Sequence, residues 1–257
     1  MRIPAIIYFC SLLALPVSLT AGDNIQVGEQ LTYQLSYGIF NAGFSSMEVL
    51  GVDTTHGHIT YHLQSRTRTN SFLDTFYKVR DEVNSWVDTS TFASVQFDKS
   101  LHEGKYRKDY EVWFDYRDME AYSSSDTTVK IPGHMQDILS LFYYLRSLDL
   151  SVGDTVRMSN YDNDKISPFL LAINGIETVK VPAGTFECLA AQPFSESDFL
   201  FKYEGNLQIW LTNDERKIPV MMKSKANFGS MVLKLRHYEP GTPDGPESAS
   251  SSAEPEG

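Results

Sequence analysis

The sequence predicts an all-β protein, mainly antiparallel: a large curved sheet, or a partly open barrel or sandwich, of about 12–15 strands packed on one central helix near residues 136–148. Three observations carry this reading. Apolar and polar residues alternate with period two along most of the chain, turn residues recur about every ten positions, and a single segment has helical spacing instead.

The chain opens on a segment that is not part of the fold. Arg2 gives a positive start, Ile3 to Val17 are almost wholly apolar, and small residues gather at Ser18, Thr20, Ala21 and Gly22, so residues 1–21 read as a cleavable secretory signal peptide. The apolar run is about 15 residues, short of the roughly 20 that span a bilayer, and no second run follows. The mature chain is therefore expected to be soluble in the periplasm, without a transmembrane segment. Cys10 sits inside the apolar run after Ile7-Tyr8-Phe9, without the small residues of a lipobox, which argues against lipidation.

Alternation then begins. Leu31, Tyr33, Leu35 and Tyr37 share one face of a strand, with Thr32, Gln34 and Ser36 on the other. Gly38 and the Asn41-Ala42-Gly43 stretch mark a turn and Phe44 to Val52 the next strand; Thr54-Thr55-His56-Gly57 turns the chain into Ile59, Tyr61 and Leu63. Val79 to Val87, Ala93 to Phe97 and Tyr106 to Phe114 continue an antiparallel meander, its outer face carrying Lys105, Arg107, Asp109 and Glu111. After Ile131-Pro132-Gly133, the residues Ile138, Leu141, Phe142, Leu145 and Leu148 fall at helical spacing with Asp137 at the N-terminal end, which predicts about three turns packed against the sheet. The pair Tyr143-Tyr144 reads as part of that packing. Strands resume at 155–161, 169–173, 177–181, 186–193, 207–211, 219–223 and 231–235, with hairpin tips at Asp162-Asn163-Asp164 and Pro182-Ala183-Gly184. Val27-Gly28-Glu29 before the first strand is echoed by Val152-Gly153-Asp154 before the second set. Residues 25–238 are thus expected to form one β-rich domain. From Glu239 to Gly257, Pro, Gly, Ser and acidic residues predict a disordered acidic tail.

Composition excludes several functions. The formal charge of −11 becomes −12 when Arg2 leaves with the signal (−11 − 1), which disfavours a grip on nucleic acid. Cys188 is then the one remaining thiol, so no disulfide forms within the mature chain, and its setting in a strand predicts a buried, inert side chain.

Several stretches resemble a family of exported bacterial proteins known as domain of unknown function 3108. They are Val27-Gly28-Glu29-Gln30-Leu31-Thr32-Tyr33 followed by Asn41-Ala42-Gly43, Gln136-Asp137 to Leu145-Arg146, Val152-Gly153-Asp154, Val181-Pro182-Ala183-Gly184-Thr185-Phe186-Glu187-Cys188, and Ile209-Trp210-Leu211-Thr212-Asn213-Asp214 to Ile218-Pro219-Val220. They occur in the family's order across roughly residues 25 to 238. The resemblance implies an envelope location and an all-β fold, and it implies no activity. Read physically, the glycines permit turns, Pro182 presets a hairpin, and Asp214 tightens the connection after it.

No catalytic, metal or cofactor site is expected. His56, His58 and His62 share parity at rises of about 7 and 13 Å, but converging partners are missing nearby, and a polar outer face is the better reading. Asp162-x-Asp164 lacks the further ligands of a calcium loop and reads as turn chemistry. No Gly-x-Ser-x-Gly elbow occurs, and His134 with Asp137 reads as helix capping rather than a catalytic pair. Aromatic residues are 12% of the chain, and Tyr33, Tyr37, Tyr61, Tyr106, Tyr110 and Phe114 fall on inward parity, with Phe142 from the helix. These seven are the candidate ligand-binding residues, able to line a pocket for a lipid-like molecule if the sheet curves enough. The leading expectation is a non-enzymatic periplasmic protein that binds an apolar ligand or an envelope protein. An envelope assembly factor acting through its surface is the alternative, and an envelope hydrolase the third. An aromatic-lined cavity would favour the first, an exposed apolar patch on a filled core the second, and a buried His-carboxylate pair in a cleft the third.

Overall fold

Alternation becomes fourteen antiparallel strands in the computed structural model, which describes residues 25–194, 207–226 and 229–242. The expected signal peptide at 1–21 and the tail beyond residue 242 lie outside the described residues. The first meander holds β1 (Gln30–Tyr37), β2 (Phe40–Thr55), β3 (His58–Thr69), the short helix α1 (Ser71–Asp74), β4 (Arg80–Asp88), β5 (Ser94–Glu103), β6 (Tyr106–Asp115), β7 (Glu120–Ser123) and β8 (Thr128–Lys130). After α2 (Ser140–Arg146), the second holds β9 (Thr155–Asp162), β10 (Lys165–Val181), β11 (Gly184–Phe194), β12 (Leu207–Thr212), β13 (Pro219–Ala226) and β14 (Gly229–Glu239). Strands adjacent in sequence within each meander pair, and β14 returns to pair with β1, giving one sheet in the order β8-β7-β6-β5-β4-β3-β2-β1-β14-β13-β12-β11-β10-β9. The sheet is not closed; β8 and β9 are its edges.

The two edges are nevertheless linked. Gln136 forms a parallel bridge to Asn160 of β9, donating its N–H to the Ser159 carbonyl at 2.8 Å and accepting from the Tyr161 N–H at 2.8 Å. Farther along β9, the β9–β10 tip reaches across to the first meander. Asp162 pairs with Lys99, Asn163 accepts from Lys108, and the Asp164 carboxylate accepts from Tyr110 at 2.8 Å and Ser125 at 2.5 Å. Asn163 and Asp164 both take positive φ, 50° and 61°, the tight backbone that aims all three polar side chains at β5, β6 and the β7–β8 turn. This clasp joins the meanders by side chains where no strand ladder does.

Inward-facing residues form two clusters. The larger collects Leu31 and Tyr33, Val49, Leu63, Leu171, Leu189, Ile209, Leu211 and Leu235 with Leu141, Tyr143 and Leu145 of α2; the smaller, under the clasp, joins Phe97, Val112 and Phe114 to Tyr161.

The sequence echo is also a structural one. Gly28 donates to the Val49 carbonyl at 2.8 Å while Val49 donates to Glu29 at 3.0 Å; Gly153 donates to Ile173 at 2.8 Å while Ile173 donates to Asp154 at 2.9 Å. Gly28 and Gly153 share a left-handed φ of 85° and 96°, and a bulge follows each, between Val49 and Gly51 and between Ile173 and Gly175. The strand trios β1–β3 and β9–β11 therefore begin alike.

Three expectations need correcting. The helix predicted over about 136–148 spans only Ser140–Arg146, because the Gln136 backbone is committed to β9 and Asp137 turns the chain, its Oδ1 accepting from the N–H groups of Leu139 at 2.7 Å and Ser140 at 2.9 Å. Ile138, placed on the helix's apolar face, lies outside the helix and is exposed. The separate strands at 169–173 and 177–181 are one bulged strand, β10. β7, β8 and α1 carry too little alternation to have been read; α1 is a single turn capped by Asn70, whose Oδ1 accepts from the Leu73 N–H at 3.0 Å.

Candidate functional site

The family-like motifs meet in the interior. Glu29, from the turn before β1, forms a two-pronged ion pair with Arg146 at the end of α2, with both N···O distances 2.6 Å and both side chains buried. Arg146 also donates from Nε to the Arg216 carbonyl at 3.1 Å and lies over the Tyr143 ring at 5.3 Å. Burial works against the guanidinium's charge, but the Glu29 carboxylate outweighs it and raises the pKa. Asp137 is fully buried and accepts from Ser85 Oγ at 2.6 Å and Ser94 Oγ at 2.7 Å; burial raises its pKa against the pull of these donors. These residues tie α2 and its leading turn to the first meander; none of them opens on a cleft.

The seven candidate aromatics do not converge. Tyr33, Tyr110 and Phe114 are buried, Tyr33 donating to the Pro219 carbonyl at 2.9 Å and Tyr110 to the clasp. Burial, then the Asp164 hydrogen bond, pushes the Tyr110 pKa well up. Tyr61 is half-buried against Phe92. Tyr37 and Tyr106 are exposed, because inward parity continues to the strand ends while the core stops short of them. Phe142 alone lines a cleft.

That cleft is apolar and has a volume of about 370 Å³. Ile138, Leu141 and Phe142 form one wall; Phe169 of β10, Met222 of β13 and Leu233 of β14 form the other. Strand register explains the second wall: Met222 pairs with Leu233, and the next inward row runs Leu207, Ser224, Met231 and Tyr37 across β12, β13, β14 and β1. Met231 is exposed at the mouth, with Tyr37 beside it. Asn160, Ser224 and Asp162 add polar atoms at the rim, the Asp162 charge being held by Lys99. A cleft of this size with an apolar wall and a few polar rim groups suits a single hydrocarbon chain. The cleft residues gave no sequence signal beyond ordinary inward parity, because the α2 region and several strands of the second meander, far apart in sequence, build the walls.

Two further clefts have mixed linings, one of about 400 Å³ lined by Thr91, His134, Gln136, Tyr144 and Arg157, the other of about 280 Å³ lined by Phe44, Glu48, Arg66 and Arg68. His134 packs edge-on to Tyr116 and makes no pair with the buried Asp137. The three histidines engage separate partners: His56 stacks on Trp113 at 4.6 Å, His58 meets Asp88 at 3.1 Å, and His62 stacks on Trp86 at 4.4 Å. Among the described residues, no three His, Cys, Asp or Glu side chains converge on a metal position, and no helix is long and apolar enough to cross a membrane. Cys188 is buried, which together with Asp214 and Glu177 pushes its thiol up to about 11. Asp214 accepts from Thr212 Oγ1 at 2.6 Å and the Arg216 N–H at 3.1 Å, tightening its turn as expected.

An open antiparallel meander, drawn around by β14–β1 pairing and bridged at its seam, defines a barrel-like β-protein class. The fold is similar to that of a β-barrel-like protein of domain of unknown function DUF1849 from Brucella abortus, at 13% identity and a TM-score of 0.59, covering 85% of this chain and 99% of that one. The chain belongs to the family described as protein of unknown function DUF3108, whose pattern matches residues 32–236. Weaker likenesses include a DUF1089 family protein from Pseudomonas aeruginosa (9% identity, TM-score 0.39, 72% of this chain and 90% of that one) and a candidate exported protein with a YmcC-like fold from Bacteroides fragilis (12%, 0.36, 84% and 97%). No curated protein matches the chain.

Proposed function

We propose that this is a periplasmic, non-enzymatic envelope protein that holds the hydrocarbon chain of a lipid-like ligand in the cleft between α2 and β10, β13 and β14. The observation that carries the reading is the cleft itself, a mainly apolar space of about 370 Å³ beside the buried core. Phe142 keeps its expected ligand-binding role, and Ile138, Leu141, Phe169, Met222 and Leu233 join it. The ionic groups nearest the cleft already have partners, which suits a ligand recognised by its apolar body. The signal-like residues 1–21 support export.

The test is uptake of a fluorescent fatty-acid probe by delipidated mature protein. Ser224→Trp fills the cleft from its rim without removing a core side chain, and is expected to lower probe affinity at least about tenfold. Tyr33→Phe, in the sealed core, is expected to leave uptake unchanged. Equal uptake by Ser224→Trp and the natural chain would refute the cleft as the site.

A further inference from the structure

An antiparallel meander sends alternate connections to the same end of its sheet. At one end lie the β1–β2, β3–β4, β5–β6 and β13–β14 connections, and more than half of the exposed large apolar side chains among the described residues gather there. Ile39 is 93% exposed, Phe76 74%, Phe72 62% and Phe40 60%, with Tyr77 and Tyr106 also exposed. On a folded surface, such groups cost hydration free energy and are unusual when contiguous.

The connections that carry them are joined to one another and to β14. Gly38 donates to the Ser230 carbonyl at 2.9 Å, joining the β1–β2 tip to β14. Asn70 at the head of α1 donates from its N–H to Ala42 at 2.9 Å and from Nδ2 to Asn41 at 2.7 Å, joining α1 to β2. Gly104 of the β5–β6 turn donates to Lys78 at 2.8 Å, and the Tyr77 ring lies so close over it that a Cβ there would come within 2.7 Å of the ring. Phe72 and Phe76 meet edge to face at 5.6 Å on top of this arc. Exposed cations stand around it: Arg68, Lys78, Lys105, Arg107 and Lys225. Of the carboxylates at this end, Asp74 is paired with Arg80, Glu103 is half-buried and Asp109 is exposed, so exposed cations predominate there on a chain of net charge −11.

We infer that this rim docks on an anionic lipid bilayer. Ile39, Phe40, Phe72 and Phe76 enter the headgroup–acyl boundary, Tyr77 and Tyr106 sit at headgroup level, and the cations meet lipid phosphates. Apolar tips flanked by exposed Lys and Arg, with Asp74 already paired to Arg80, suit an anionic membrane surface. The rim also adjoins the cleft, since Tyr37 of the β1–β2 hairpin pairs with Met231 at the cleft mouth. Docking goes beyond the ligand reading and does not depend on it: a rim that binds bilayers beside an empty cleft, or a filled cleft beside an inert rim, separates the two.

The experiment is co-sedimentation of the mature protein with vesicles of phosphatidylethanolamine and phosphatidylglycerol, and with vesicles of phosphatidylcholine alone. The protein is expected to sediment with the anionic vesicles and only weakly with the neutral ones. Ile39→Ser with Phe40→Ser, and Phe72→Ser with Phe76→Ser, are each expected to lower partitioning at least tenfold, by roughly the loss of two inserted side chains. Lys78→Glu with Lys105→Glu is expected to lower it about tenfold on anionic vesicles only. All the altered side chains are exposed, so melting temperatures should match the natural chain, which separates lost docking from lost folding. Absence of sedimentation, or sedimentation equal in the serine variants, would overturn the inference. So would an envelope protein that binds the natural chain but not the serine variants while vesicles bind neither.

Discussion

At the scale of single residues, the ion pair between Glu29 and Arg146 is the most consequential contact. Two charges are held away from water, so their attraction is strong only while both are present, and removing one leaves the other buried and uncompensated. Arg146→Met or Glu29→Leu alone is expected to destabilise the mature chain by about 3–5 kcal/mol in urea unfolding, while the double variant recovers most of that loss. Additive losses in the double variant would show that the two side chains do not act as a pair. The residues were visible in the sequence as parts of family-like stretches, Gly28-Glu29 and Leu145-Arg146, but their partnership was not, because 117 positions separate them. An arginine three residues beyond Tyr143 in a short apolar helix was the available signal. Parity places Tyr33, Tyr110 and Phe114 inside, and all three are buried within the core clusters.

Among elements, the clasp at the β9–β10 tip does what a strand ladder would do in a closed barrel. Its tip was legible as Asp-Asn-Asp turn chemistry; its docking was not, since nothing local to the tip specifies Lys99, Lys108 or Tyr110 as partners. Burial pushes the Asp164 carboxyl up, but the hydroxyls of Ser123, Ser125 and Tyr110 outweigh it, so its pKa lies below the ordinary value. A carboxylate with a depressed native pKa contributes stability above its unfolded pKa of about 4 and loses it as pH falls through the native value. The melting temperature of Asp164→Asn is therefore expected to lie below that of the natural chain at pH 6–7, with the gap closing below about pH 4. A gap that persists unchanged into acid would show that the carboxylate's charge is not what holds the clasp. The helix teaches a similar lesson. Spacing of Ile138, Leu141, Phe142, Leu145 and Leu148 gave its position, but the bridge from Gln136 to β9 and the Asp137 turn cut it to Ser140–Arg146.

For the whole molecule, the all-β antiparallel architecture was legible because alternation of period two is a property of each strand by itself. The pairing of β14 with β1 and the open seam between β8 and β9 were not, because they depend on contacts across the full chain. The same holds for the cleft, whose walls come from α2 and from strands of the second meander. The matched starts of β1–β3 and β9–β11 suggest why a small echo, Gly28-Glu29 and Gly153-Asp154, was readable at all: each sets the left-handed turn that launches a meander. The central proposal is that the apolar cleft beside α2 holds a hydrocarbon chain. Native mass spectrometry of the protein purified from its own cells, followed by organic extraction, tests it most directly. The account predicts a stoichiometric lipid-like mass that is extractable and absent from Ser224→Trp; a protein that emerges empty, and stays empty after incubation with fatty acids and phospholipids, would contradict it.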